Sequence, residues 1–179
     1  ISPEIPCYVY GNVMSLIDDS GTGFANDKTI SADIALYGLF NNSGTTNPNL
    51  INHPTKRILL PATTLANNCY ENMFFGCTGL TTAPDLPATE LKSECYKSMF
   101  YGCTSLTTAP DLPAPTLAYG CYDSMFRDCT SLTYVKCLAT SVSAQYCLDN
   151  WLNEVSATGT FVKASGADWA VAGSNGIPT

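Results

Sequence analysis

The chain has 179 residues, enough for one domain with a sizeable core. Its 8 Lys+Arg against 15 Asp+Glu leave a net charge of −7, which excludes nucleic acid as the main partner, because neutralising phosphates takes a basic surface. Only 13% of residues are charged and Ser, Thr and Asn outnumber them about two to one, so hydroxyls and amides must wet the surface, as is common in secreted proteins.

Hydrophobic content of 45% excludes a disordered chain, and no apolar run approaches the ~18 residues of a membrane span. The chain does not begin with Met and shows no signal peptide, so it reads as an excised mature segment and its export is left open. Residues 1–25 are expected to cap the first coil, burying Val9, Val13, Leu16 and Ile17. Asp19-Ser-Gly-Thr-Gly23 is similar to the active-site motif of aspartic proteases. That chemistry needs two such carboxylates sharing a proton, and only one copy is present, so a Gly-rich turn is the better reading. Asp18, Asp19 and Asp27 lack the spacing of a calcium loop.

Residues 26–59 hold a degenerate first repeat, Ile30 to Phe40, and a long irregular connection. His53 is the lone histidine, and it precedes Pro54, which suits a turn better than catalysis.

From residue 60 the chain repeats. Residues 60–85, 86–111 and 112–137 align without a gap at a period of 26 residues, within the 20–50 range of stacked-repeat units. Comparing the copies separates core from surface. Leu65/Leu91/Leu117, Cys69/Cys95/Cys121/Cys147, Phe74/Phe100/Phe126, Cys77/Cys103/Cys129 and Leu80/Leu106/Leu132 are constant and apolar, so each should stack on its counterpart. Positions Asn67/Ser93/Tyr119, Glu71/Lys97/Asp123 and Phe75/Tyr101/Arg127 vary and must face outward. Cys69, Met73 and Cys77 at i, i+4, i+8 predict a short helix over residues 67–77, and Leu80-Thr81-Thr82-Ala83 predicts a short strand pairing in parallel with its neighbours. Tyr70, Tyr96 and Tyr122 have two readings. They lie along the edge of the helix layer with the hydroxyl in water, or they join Phe75, Tyr101 and Arg127 in a recognition stripe.

No pair of the nine cysteines is spaced Cys-x2-4-Cys, which argues against zinc. Their stacking positions favour buried thiols over disulfides, with Cys137 the most individual and a candidate to pair with Cys147. No cofactor is implied. Residues 138–164 form a variant last repeat in which Trp151-Leu152 replaces Met-Phe. Residues 165–179, with Trp169, are expected to cap it.

Met99-Phe-Tyr-Gly-Cys-Thr-Ser-Leu-Thr107 resembles the leucine-rich repeats of BspA-like bacterial surface proteins, and Val9–Leu16 with Leu60–Leu65 is similar to surface proteins of gut Bacteroidetes. The resemblance spans about residues 26–164. It implies an α/β leucine-rich-repeat solenoid of about five 26-residue coils, each with a short helix and a short parallel strand. It also implies a secreted or surface-anchored, extracellular protein without catalytic residues. The expectation is therefore a non-catalytic adhesion module, monomeric and not inserted in a membrane, binding a host or bacterial surface protein. The alternative is a carbohydrate-binding module that captures glycans.

Overall fold

The structure is a computed structural model that describes residues 5–18, 23–42, 44–167, 169, 173, 175 and 176. Its regular elements are few. They are β1 (Cys7–Val9), β2 (Gly11–Asn12), a 3-10 turn (Val13–Leu16), β3 (Leu50–Asn52), β4 (Ile58–Leu59), β5 (Tyr134–Cys137) and β6 (Thr160–Lys163). The strands pair in parallel as β1–β3, β2–β4 and β5–β6. Isolated parallel bridges such as Glu90–Thr116 and Thr108–Tyr134 tie other coils together.

The expected solenoid with a helix and a strand in every coil is not what the chain forms. Residues 67–77 contain no α-helix, and Leu80–Ala83 is not a strand. The segment is instead a ribbon of overlapping turns. The N–H groups of Glu71, Met73, Phe75 and Cys77 reach back three residues, to the carbonyls of Asn68, Tyr70, Asn72 and Phe74. The alternate N–H groups cross to the next coil: Asn68 to Ser93 O, Tyr70 to Cys95 O, Asn72 to Lys97 O, Phe74 to Met99 O and Gly76 to Tyr101 O, at 2.7–3.0 Å. Every backbone donor from Tyr70 to Cys77 is thus satisfied, which is the condition for burying the segment.

Every fourth residue of the ribbon is left-handed: Asn68, Asn72 and Gly76, then Glu94, Ser98 and Gly102, then Gly120, Ser124 and Asp128, then Tyr146, Asn150 and Glu154. The backbone therefore repeats every four residues, two pointing in and two pointing out. The spacing of Cys69, Met73 and Cys77 fits this period as well as a helix. In a helix, each step of four advances about 400° and carries the face ~40° round, so the apolar doublets would drift apart. In the ribbon they stay in line and stack.

The stacked doublets make the core. Phe40, Phe74, Phe100 and Phe126 form one column, with centroids 5.2, 5.4 and 5.6 Å apart. Met73, Met99, Met125 and Trp151 are fully buried beside them. All nine cysteines are thiols, so Cys137 and Cys147 are not joined. Cys77, Cys103 and Cys129 donate from sulfur to the carbonyls of Phe40, Phe74 and Phe100 in the preceding coil, at 3.6, 3.2 and 3.0 Å. A small apolar side chain with one weak donor suits that site.

At the first end, Val13 is buried and Val9 and Ile17 are half-buried, but Leu16 is 61% exposed, contrary to expectation. Asp18 accepts the N–H groups of Gly23 and Phe24, both at 2.9 Å. Residues 19–22 of the protease-like motif lie outside the described residues. At the other end, Trp169 packs on Trp151 and Phe161 and donates from Nε1 to Ala139 O at 3.0 Å.

Candidate interaction surface

Because outward positions recur every four residues along a coil and every 26 along the chain, the ribbon face is a grid of side chains. One column is Asn67, Ser93 and Tyr119. The next is Glu71, Lys97 and Asp123, and the third is Phe75, Tyr101 and Arg127.

The third column is continuous. The Phe75 and Tyr101 rings stack at 4.6 Å, 14° apart, and the Arg127 guanidinium lies 5.5 Å over the Tyr101 ring. All three are half-buried. Burial and a hydrogen bond to Asp128 push the Tyr101 phenol up, so it stays protonated. Beside it Lys97 pairs with Glu94 at 2.8 Å and approaches Asp123 at 4.0 Å. Glu94 is held below the ordinary carboxylate range by hydrogen bonds from Lys97 and Asn68. Asn68 also donates to Glu71, at 2.6 Å.

The other tyrosines correct the sequence reading. Tyr70, Tyr96 and Tyr122 are 1% exposed and stack on one another at 5.7 and 6.2 Å, with Trp151 closing the column. They are core residues, closed off from the surface. The ribbon explains this, since each directly follows an inward cysteine and shares its inward doublet. Their identity in all three copies is the signal that marks them as core.

Tyr37 and Tyr146 are exposed aromatics of the same face that sequence comparison does not single out, both at 52% exposure, and they join Tyr119 of the variable column Asn67, Ser93 and Tyr119, at 46%. Tyr119 and Tyr146 meet edge to face at 5.7 Å, and Tyr37 accepts a hydrogen bond from Asn72 at 3.2 Å. Tyr37 and Tyr146 occur once per column, so no repeat betrays them.

A second concavity runs along the other side. Cavities of about 540 and 270 Å³ share Arg57, Thr82, Ala83 and Asp85, so they form one groove. Thr107, Thr108 and Asp111 continue it, and Lys136 holds Asp111 at 2.5 Å. Asn52 pins its floor, accepting from the N–H groups of Thr81 and Thr82. His53 takes the turn role expected of it, its Nδ1 accepting from the N–H groups of Thr55 and Lys56. Its ring sits edge-on to Tyr8 and Tyr10, and Lys56 lies 4.2 Å over Tyr10.

Comparison with known proteins finds no matching family model, curated protein or solved structure. Among the described residues no group of three His, Cys, Asp or Glu is placed to hold a metal ion, and no helix is long and apolar enough to cross a membrane.

Proposed function

We propose that this chain is a non-catalytic, extracellular interaction module, secreted or held at a bacterial cell surface, that offers its ribbon face to a host or bacterial surface protein. The observation that carries this reading is the Phe75–Tyr101–Arg127 column, two stacked rings ending in a guanidinium. Aromatics and Arg are the residue types that anchor protein interfaces. Here their rotamers are already held by stacking, so little side-chain freedom is lost on binding. The flanking Glu71, Lys97 and Asp123 supply the polar rim. The resemblance to bacterial surface repeats points the same way.

The groove supports a second reading, glycan capture. Its threonine hydroxyls, two carboxylates and neighbouring tyrosines are the groups that bind sugars, through hydrogen bonds and ring faces.

Binding of the purified chain to intact epithelial cells, read by flow cytometry, separates the two. The first reading expects binding to be lost after the cells are stripped with protease, kept after they are deglycosylated, and weakened about tenfold by Tyr101→Ala. Loss on deglycosylation, with Tyr101→Ala neutral and Asp85→Ala damaging, transfers the function to the groove.

A further inference from the structure

Within the turn ribbon, the backbone hydrogen bonds between coils all run one way. At each junction, N–H groups of the earlier coil donate to carbonyls of the later one: Ile34 to Asn67, Asn68 to Ser93, Glu94 to Tyr119 and Gly120 to Gln145 begin the four series. A stack built this way has two unlike ends. We infer that these ends are complementary docking surfaces for a second copy of the chain, joined head to tail, and that the C-terminal tail competes with that joint.

At the first end the carbonyls of Asp33, Ala35, Tyr37 and Leu39 hold the positions that Asn67, Cys69, Glu71 and Met73 hold one coil later, where each accepts an N–H. Among the described residues nothing donates to these four. The alternate N–H groups, of Ile34, Leu36, Gly38 and Phe40, are all spent inward. The edge therefore offers acceptors only. An ordinary strand edge presents both donors and acceptors and does not match it. Ile34 at 62% exposure and Tyr37 at 52% flank this row with apolar surface.

At the last end, Tyr146, Leu148, Asn150 and Leu152 hold the donor positions of the frame. Asn150 N is taken by the side chain of Asn175, at 2.7 Å. The N–H groups of Tyr146, Leu148 and Leu152 meet no acceptor among the described residues. A cleft of about 380 Å³ separates Trp169, Asn175 and Gly176 of the tail from Tyr146–Asp149.

The two edges share one conformation, with residues 34 and 38 left-handed as 146 and 150 are. Placed in register, the N–H groups of Tyr146, Leu148, Asn150 and Leu152 of one copy meet the carbonyls of Asp33, Ala35, Tyr37 and Leu39 of the next. That repeats the four-bond junction between the first two coils. The aligned peptide dipoles leave partial negative charge at the acceptor end and partial positive charge at the donor end, so the faces attract. Such a contact is heterologous and does not close on itself, so it grows linearly. Asn175 occupies one of the four donors, and that makes the tail the competitor.

Sedimentation velocity of the full chain tests this. Asn175→Ala is expected to lower the concentration at which the mean mass rises by about tenfold, the worth of one hydrogen bond. Two further variants in that background separate the ends: Ile34→Glu on the acceptor edge and Tyr146→Glu on the donor edge. Both positions are exposed, and Glu94 already occupies the same left-handed frame position, so folding is not at risk. Each variant alone should remain a monomer, and an equal mixture should form a one-to-one dimer through the one unblocked pair of ends. Asn175→Ala remaining monomeric at every concentration overturns the proposal. So does association that survives in Tyr146→Glu alone, which would mean like ends meeting, or a mixture that fails to dimerise.

Discussion

Phe100 and Tyr101 are adjacent in the chain and opposite in role. Phe100 is fully buried between Phe74 and Phe126, whereas Tyr101 is half-buried between Phe75 and Arg127. Phe100→Ala should cost about 3–5 kcal/mol, the transfer free energy plus the cavity left between two rings. Tyr101→Ala should cost less than about 1 kcal/mol. Thermal melting of the pair checks this, and equal melting losses would show that the outer face is misassigned. Tyr96 gives a sharper case. Its hydroxyl is buried without a hydrogen-bond partner among the described residues, while its ring stacks on both sides. Tyr96→Phe keeps the ring and removes the orphaned polar group, so chemical denaturation should find it about 1 kcal/mol more stable. A loss of stability would mean that the hydroxyl has a partner.

At the scale of the element, the turn ribbon depends on residues that tolerate the left-handed conformation. Asn72 and Gly76 lie one period apart, at φ of 57° and 70°. A β-carbon at Gly76 would also stand 2.8 Å from Thr45 O, so that position accepts glycine alone. Asn72→Val should therefore lose at least about 1–2 kcal/mol while Asn72→Gly stays within about 1 kcal/mol of the parent, both read by denaturant midpoint. Matching losses would place the cost in the Asn72–Tyr37 hydrogen bond instead. This conformation is also where reading the sequence reaches its limit. The 26-residue period and the columns of Phe74, Cys77 and Leu80 are legible, because like residues recur where like environments recur. The ribbon is not, since i, i+4, i+8 spacing over eleven residues does not separate a period of 3.6 from a period of 4. The available clue is Asn68, Asn72 and Gly76, three residues suited to positive φ at intervals of four. The same ambiguity hides the burial of Tyr70, because a helix at that spacing turns it toward the edge and the ribbon turns it in. In the candidate site, Phe75, Tyr101 and Arg127 are legible as a variable column, whereas the groove is assembled from separate coils and the long connection, and no local pattern announces it.

For the molecule as a whole, the buried thiols couple stability to alkaline pH. Burial pushes Cys69 up from its ordinary value of 9.0 to about 11, and Cys77, Cys121, Cys129 and Cys137 to about 12. Above pH 9 the unfolded chain gives up thiol protons that the folded chain keeps, so unfolding is favoured as pH rises. The thiol contribution is fully present below the unfolded value and is lost between about pH 9 and 12. The raised phenols of Tyr70, Tyr96 and Tyr122, again through burial, act in the same sense. The melting temperature should fall steeply above pH 9, and a flat profile up to pH 11 would show that the thiols ionise without unfolding the stack. The one-way bonds between coils have a mechanical consequence as well. In the ribbon each full junction is five backbone bonds lying along the stack, with the chain entering at one end and leaving at the other. Tension on the two ends loads the outermost junction first and peels it bond by bond, leaving the next junction intact. Each release frees one 26-residue coil, about 90 Å of extended chain. Stretching single molecules should give a sawtooth of that step, so that under flow the protein lengthens by instalments and holds its grip between them.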